Sequence, residues 1–193
     1  MKEQIRITVV TMSIFTLILG VAYPLFMCGV GQAFFPGRAG GSLLRDSSGQ
    51  VIGSTLIGQN FDQPHYFHSR PSHAGVKGYD AMASGGSNLS PISKKLMETL
   101  MSRAKAYRLE NQLPPNRRIP ADAITASASG LDPHISVENA HIQALRIAGA
   151  RNIPLELVEK AIRKATTHRW LGIFGENHVN VLLLNLELDQ IPH

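Results

Sequence analysis

From Ile7 to Phe35 the chain carries 29 consecutive residues without a charge, directly after Lys2 and Arg6. As a helix rising 1.5 Å per residue, this run reaches about 43 Å, more than the roughly 30 Å hydrocarbon core of a bilayer requires. Hydrocarbon offers no partner for backbone N–H and C=O groups, so the part inside a membrane must be an α-helix. The expected span is about Ile7 to about Cys28, with Gly29 to Pro36 emerging at the interface. A cleavable secretory signal is the competing reading, because Gly20 and Ala22 are small residues at the −3 and −1 positions of a cleavage site. The run is much longer than a secretory h-region, and Tyr23 to Phe35 stays apolar past the cut, which favours an uncleaved anchor. Pro24 removes a backbone donor and is expected to kink the helix or to mark its last turns.

Lys2, Arg6 and the α-amino group precede the span, against Glu3, while Arg38 and Arg45 follow it. The excess of positive charge before the span orients the N-terminus to the cytoplasm and puts the residues after about Arg38 outside it, in a periplasm or its equivalent. The expected organisation is an anchor over residues 1–36 and one soluble extracytoplasmic domain over 37–193. About 155 residues outside the anchor suffice for one domain with a real core. The single cysteine, Cys28, lies at the end of the apolar run, which excludes a disulfide framework or a Cys-based zinc site in that domain. The net charge of +5 is spread over several segments, with Lys94–Lys95, Arg117–Arg118 and Arg163–Lys164 as the closest pairs. Such a distribution argues against a nucleic-acid partner; it describes solvated helix faces and a mildly basic surface for anionic lipid or an acidic partner.

Leu43 and Leu44, the turn residues Asp46, Ser47, Ser48 and Gly49, and then Val51 and Ile52 predict a hairpin within 40–58. Phe61 to Leu89 mixes aromatics, histidines, prolines and glycines with no regular period; a loop this long tends to be functional or disordered, and its aromatics favour order. Ser90 as N-cap with Pro91 at the first helical position predicts a helix continuing through Ile92, Leu96, Leu100 and Ala104 and ended by Pro114 and Pro115. Ala121 to Ala128 reads as a short strand. Gly130 to His134 makes a turn into a helix capped by Ser136 and running to about Gly149. Pro154 opens another helix to near Thr167. His178 to Leu188, dense in Val and Leu, reads as a strand buried on both faces. The predicted fold class is α+β: one N-terminal transmembrane helix followed by one mixed α/β soluble domain.

Three constellations invite a chemical reading. His65, His68 and His73 lie close enough in sequence to bind a transition metal, but they have neither a cysteine nor a helical His-x-x-x-His partner, and aromatic packing accounts for the segment more simply. Ser127, Ser129, Asp132 and His134 contain the residue types of a hydrolytic triad, yet triads assemble from distant segments and Asp-Pro before a helix cap is ordinary turn chemistry. Neither a phosphate-binding nor a dinucleotide-binding glycine fingerprint is present, and Ser84-Gly85-Gly86-Ser87 only faintly resembles the Gly-Gly signature of ABC ATPases. Within the anchor, Thr8, Thr11, Ser13 and Thr16 offer hydroxyls, and Gly20, Ala22, Gly29 and Gly31 permit close approach of a partner helix.

The anchor ending in Tyr23-Pro24 is followed by Tyr66-Phe67-His68-Ser69-Arg70-Pro71-Ser72, Gly85-Gly86-Ser87-Asn88-Leu89 and Asp122-Ala123-Ile124-Thr125-Ala126-Ser127. Next come Ser129-Gly130-Leu131-Asp132-Pro133-His134-Ile135-Ser136, Ala148-Gly149-Ala150-Arg151 and Val179-Asn180-Val181-Leu182. In this order, and over nearly the whole chain, these motifs resemble the C subunit of the Kdp-type potassium-transporting ATPase, the KdpC family.

That resemblance implies a non-catalytic subunit of a bacterial inner-membrane complex, in which a channel-like subunit carries potassium and a P-type subunit hydrolyses ATP. Its implied role is assembly and a higher ATP affinity of the P-type subunit, with no tightly bound cofactor or metal. The glutamine at Gln143 is implied as a nucleotide contact, and Tyr66 to Pro71, Gly85 to Asn88 and Asp132 to His134 as motif or interface positions. The topology read from the flanking charges conflicts with direct contact: ATP is cytoplasmic, so a domain outside reaches it only through the anchor or the partner subunits. The alternative, from a different class, is a self-standing anchored hydrolase or metal-binding protein using Ser129, Asp132, His134 or the His65 cluster.

Overall fold

A computed structural model describes residues 1–191, which fall into two compact units, the first Met1–Ser54 and the second from Thr55 onward. The first begins with one continuous helix, α1 (Lys2–Phe34), apolar and long enough to cross a membrane, with none of its apolar window buried inside the protein. It extends beyond the expected 7–28 span at both ends. The turns Thr16–Ala22 widen to π-helical geometry, and the Tyr23 N–H donates to the Ile18 carbonyl. Pro24 has no N–H to give the Gly20 carbonyl, and the wider turns just before it let the helix continue. After a single turn, α2 (Pro36–Ala39), the expected hairpin follows as β1 (Leu43–Arg45) and β2 (Val51–Ser54). One carboxylate oxygen of Asp46 closes its loop, accepting from the N–H groups of Ser48 at 2.8 Å and Gln50 at 3.0 Å.

In the second unit, residues 55–93 wind without regular structure apart from one 3₁₀ turn, Ala81–Ala83, as the aperiodic composition predicts. The helix expected from Ser90 starts later, as α3 (Lys94–Glu110), because Ser90 and Pro91 form a turn in which Ser93 N–H donates to Ser90 O. The strand expected over 121–128 is instead one helical turn, α4 (Ala121–Ile124), and an extended exit. Pro120 leads into it, and Thr125 donates its hydroxyl to Ala121 O rather than pairing in a sheet.

β3 (His134–Ser136) leads directly into α5 (Val137–Arg151), whose N-cap is Ser136 as expected: its Oγ accepts the Asn139 N–H. Asn152 ends α5 in the left-handed conformation, and α6 (Leu155–Ala165) follows Pro154. β4 (Thr166–Thr167) and β5 (His178–Asn180) complete a small antiparallel sheet of order β3-β5-β4. The long strand expected to run to Leu188 stops at Asn180. There the Asn180 carboxamide accepts the Leu183 N–H and caps a helix, α7 (Val181–Asp189). Val181, Leu182, Leu184, Asn185 and Leu188 are buried, while the less buried face also carries leucines, Leu183 and Leu186, so the helix has the same dense apolar content as a two-sided strand.

Phe67, Ile135, Ala144, Ile147, Val158, Ile162, Val179, Leu184 and Leu188 make up most of the core, joining α5, α6, α7 and the sheet. The fold is α+β, an N-terminal apolar helix followed by mixed helices and strands.

Candidate functional site

The long irregular loop is held by side chains that reach it from the helices. Phe67 is fully buried, and its backbone is clamped by Asn185 of α7: Oδ1 accepts the Phe67 N–H at 2.8 Å and Nδ2 donates to Phe67 O at 3.0 Å. His68, the next residue, is clamped by Gln143 of α5, whose Oε1 accepts the His68 N–H at 2.8 Å and whose Nε2 donates to His68 O at 3.2 Å. Gln143 and Asn185 are each only 1% exposed, and desolvation of amides at that depth is tolerable only with such complete pairing.

Around Gln143 the polar groups form one connected network. Its Nε2 also donates to Asn139 Oδ1 at 3.0 Å, and its Oε1 also accepts from Arg146 Nη2 at 2.9 Å. Both amide protons and both acceptor directions of Gln143 are thereby used. Asn139 Oδ1 accepts the Tyr107 hydroxyl at 2.7 Å, and Asn139 Nδ2 donates to Asp122, which also receives the backbone N–H and hydroxyl of Ser136. Burial raises the Tyr107 phenol well above its ordinary range and keeps it a donor. Arg146 donates to Tyr66 O, Pro64 O and Asn111, and one α5 turn further Arg151 donates to His65 O and Asp189 while covering the Tyr66 ring.

Beside Gln143 a cleft of about 350 Å³ opens, lined by His68, Ser69, Arg70, Lys77, Tyr79, Arg103 and Glu110 among others. His68 presents Nδ1 to Glu110 at 2.9 Å and Nε2 to Gln63 O at 3.1 Å. The hydrogen bond from His68, with Arg146 nearby, holds the Glu110 carboxyl below the usual range against the opposing effect of burial. Burial pushes the Tyr79 phenol up to about 12, and its hydroxyl donates to Arg70 O at 2.7 Å.

The Gly130 to His134 motif lies behind Arg70 and Ser72, two of the residues that line the cleft. Arg70 Nη1 donates to Asp132 at 2.8 Å, and the other Asp132 oxygen accepts from the His134 N–H and faces its Nδ1 at 3.2 Å. Burial opposes ionisation of Asp132, but the His134 and Arg70 hydrogen bonds outweigh it and hold the carboxyl down to about 2. The His134 ring lies edge-on to His178 across the sheet, 4.4 Å between centroids, and Pro133 O accepts the Val181 N–H. Ser72 Oγ donates to Gly130 O at 2.6 Å and accepts from the N–H groups of Ala74 and Tyr79.

The glycine pair docks here as well. Gly85 N–H donates to Ser129 O, and a Cβ on Gly86 would come within 3.0 Å of Ala128 O. Asn88 sits in the left-handed region at φ 50°. Within the second unit, the Tyr66 to Ser72, Gly85 to Leu89 and Ser129 to Ser136 motifs are therefore spatial neighbours, joined around one loop.

The hydrolytic and metal readings fare differently. Ser127 and Ser129 accept the N–H groups of Gly130 and Leu131, as turn residues do, while His134 faces Asp132. His65 stacks on Tyr66, His68 meets Glu110 and His73 faces Arg103, so the three histidines have separate partners. Among the described residues, no group of three or more His, Cys, Asp or Glu is arranged to hold a metal.

The family model for the K+-transporting ATPase c chain, KdpC, matches residues 5–190. The chain belongs to the KdpC family. A Potassium-transporting ATPase KdpC subunit of Mycobacterium bovis (strain BCG / Pasteur 1173P2) is 52% identical over 191 residues, covering 99% of this chain and 100% of the relative. The subunit of the same name in Caulobacter vibrioides (strain NA1000 / CB15N) is 51% identical over 189 residues, covering 98% and 94%. That of Caulobacter sp. (strain K31) is 48% identical over the same coverage.

Sequence reasoning singled out Gln143, Tyr66 to Pro71, Gly85 to Asn88 and Asp132 to His134 through the KdpC resemblance and quoted Asp122 within a motif, but it missed Asn185, Asn139, Tyr107, Glu110 and Arg146. A signal was available for the first: Asn185 interrupts an otherwise apolar run, and a polar residue inside a buried helix needs a partner.

Proposed function

We propose that this chain is the accessory, non-catalytic subunit of an ATP-driven potassium uptake complex in a bacterial inner membrane. It assembles with a channel-like subunit that translocates potassium and a P-type subunit that hydrolyses ATP, and it supports assembly and raises the ATP affinity of the latter. The N-terminus lies in the cytoplasm and the domain in the periplasm.

The observation that carries this reading is the commitment of buried and half-buried polar side chains to one loop. Gln143, Asn185, Arg146, Arg151 and Asp132 are committed to one loop and its supports. Such a constellation builds a shaped, rigid surface rather than presenting a nucleophile or base. Near-full-length likeness to proteins named as subunits of a potassium-transporting ATPase supports the same conclusion. ATP is on the opposite side of the membrane from a periplasmic domain, so the effect on ATP affinity passes through partner subunits whose conformational equilibrium the domain biases.

The test is purification of the tagged chain from cells starved of potassium. Two larger membrane proteins and a potassium-stimulated ATPase activity are expected to copurify, and deletion of the chain is expected to abolish assembly. Recovery of the chain alone, with hydrolytic activity of its own, would overturn the proposal.

A further inference from the structure

Between β4 and β5 the chain turns over at Trp170-Leu171-Gly172-Ile173-Phe174, and four of these side chains face solvent. Trp170 is 69% exposed, Leu171 71%, Ile173 75% and Phe174 60%. The tip is a formed turn. Trp170 N–H donates to Phe174 O at 2.9 Å, Phe174 N–H returns to Trp170 O at 3.0 Å, and the two rings lie 5.8 Å apart. Leu171 and Gly172 occupy the left-handed region, at φ 53° and 73°. Glycine does so freely; a leucine there is strained, and its exposed side chain returns little to the fold. Contiguous exposed apolar side chains on an ordered turn mark a surface that meets something apolar.

The charges around the tip indicate what. From Lys160 to Gly175 the chain holds Lys160, Arg163, Lys164 and Arg169 and no carboxylate. Lys164 pairs with Glu187 and Arg169 with Glu176, each at 2.7 Å; the carboxylates of α6, Glu156 and Glu159, lie in its earlier turns, so the end of the helix nearest the tip carries Lys160, Arg163 and Lys164. Tryptophan and phenylalanine at an apolar edge, with cations behind them, match the headgroup region of a bilayer containing anionic lipid. The chain carries its own anchor, α1, which keeps every copy at such a surface.

We propose that the 170–174 tip is a second, interfacial membrane contact. Its four apolar side chains enter the headgroup and upper acyl region, and the basic residues of α6 face anionic headgroups. The contact would limit the freedom of the domain beside the membrane independently of any partner subunit.

Trp170 is the only tryptophan in the chain, so its fluorescence reports the tip alone. The full chain is reconstituted into phosphatidylcholine and phosphatidylglycerol vesicles with brominated or ordinary acyl chains. The expected result is blue-shifted emission, protection from iodide, and loss of most of the intensity in brominated vesicles. Joint substitution Ile173→Ser and Phe174→Ser, at two exposed positions, is expected to restore red, iodide-quenched emission with an unchanged circular dichroism spectrum. Solvated emission quenched by iodide and insensitive to bromine would overturn the proposal. So would a blue shift that appears only when the other subunits of the complex are present and that bromine does not quench, which would assign the tip to a protein pocket. Failure of this contact leaves copurification untouched, so the two proposals fall separately.

Discussion

The Gln143 carboxamide and the His68 backbone exchange two hydrogen bonds, at 2.8 Å and 3.2 Å, as two residues paired in a sheet would. Asn185 does the same for Phe67 from the other side. Adjacent residues of an extended segment point their backbone groups to opposite sides, so carboxamides on two separate helices stand where neighbouring strands would pair. The loop is therefore ordered without being part of a sheet, and its shape depends on a few buried side chains.

Asn185→Ala would leave the N–H and C=O of a fully buried residue unpaired. A loss of about 2 to 6 kcal/mol in stability is expected, from two orphaned buried groups at roughly 1 to 3 kcal/mol each. Denaturant unfolding of the detergent-solubilised chain measures it, and a loss below that of an exposed Asn→Ala control would refute the clamp.

Gly130 and Gly149 should respond oppositely to alanine. At Gly130, φ is 68° and a Cβ would lie 2.7 Å from Gly85 O and 2.8 Å from Ala74 N, both backbone atoms that cannot yield without moving the motif. Gly149 lies in α5 with open space around it, where alanine is expected to gain about 0.5 kcal/mol through helix propensity. Thermal midpoints of the two variants should move in opposite directions from that of the parent.

Asp132 ties part of the stability to acid pH. Its carboxyl is held down to about 2, against about 3.9 for an ordinary aspartate. A depressed carboxylate stabilises the fold fully above the unfolded value and loses that contribution as pH falls through the folded one. Stability should therefore decline between about pH 4 and about pH 2, by about 1 kcal/mol after discounting for partial exposure. Asp132→Asn should flatten that limb of the pH profile; an unchanged slope would deny Asp132 this part.

Side of the membrane is accessible to labelling because Cys28 is the only cysteine. Single cysteines at the exposed positions Ser48 and Gln190, in a Cys28→Ser background, should react with an impermeant maleimide in intact cells. Protection until lysis would place the domain in the cytoplasm and reopen direct nucleotide contact.

How legible the fold was depended on whether the signal was local. The anchor, the hairpin, the Ser136 cap and the two helices after it rest on runs, turns and caps that lie within a few residues, and these match the sequence reading. Val181–Asp189 reads as a strand because leucines stand on its less buried face as well, at Leu183 and Leu186, which blurs the difference between period 2 and period 3.6; the Asn180 cap is what marks the helix. Ala121–Ile124 was misread because its reason lies elsewhere, in Asp122 reaching Ser136 and Asn139. The candidate site was legible as motifs but not as geometry. That His68 meets Gln143, 75 positions later, is a property of packing that no local pattern carries.

The most direct test is Gln143→Ala in the assembled complex, with apparent KM for ATP and thermal midpoint measured on the same preparation. Because all four hydrogen-bonding directions of Gln143 are used inside the domain, the account predicts a lowered midpoint and reduced assembly. The fraction that does assemble should keep its KM for ATP. A normal midpoint and normal assembly with a much weakened ATP affinity would contradict it and make Gln143 a nucleotide contact.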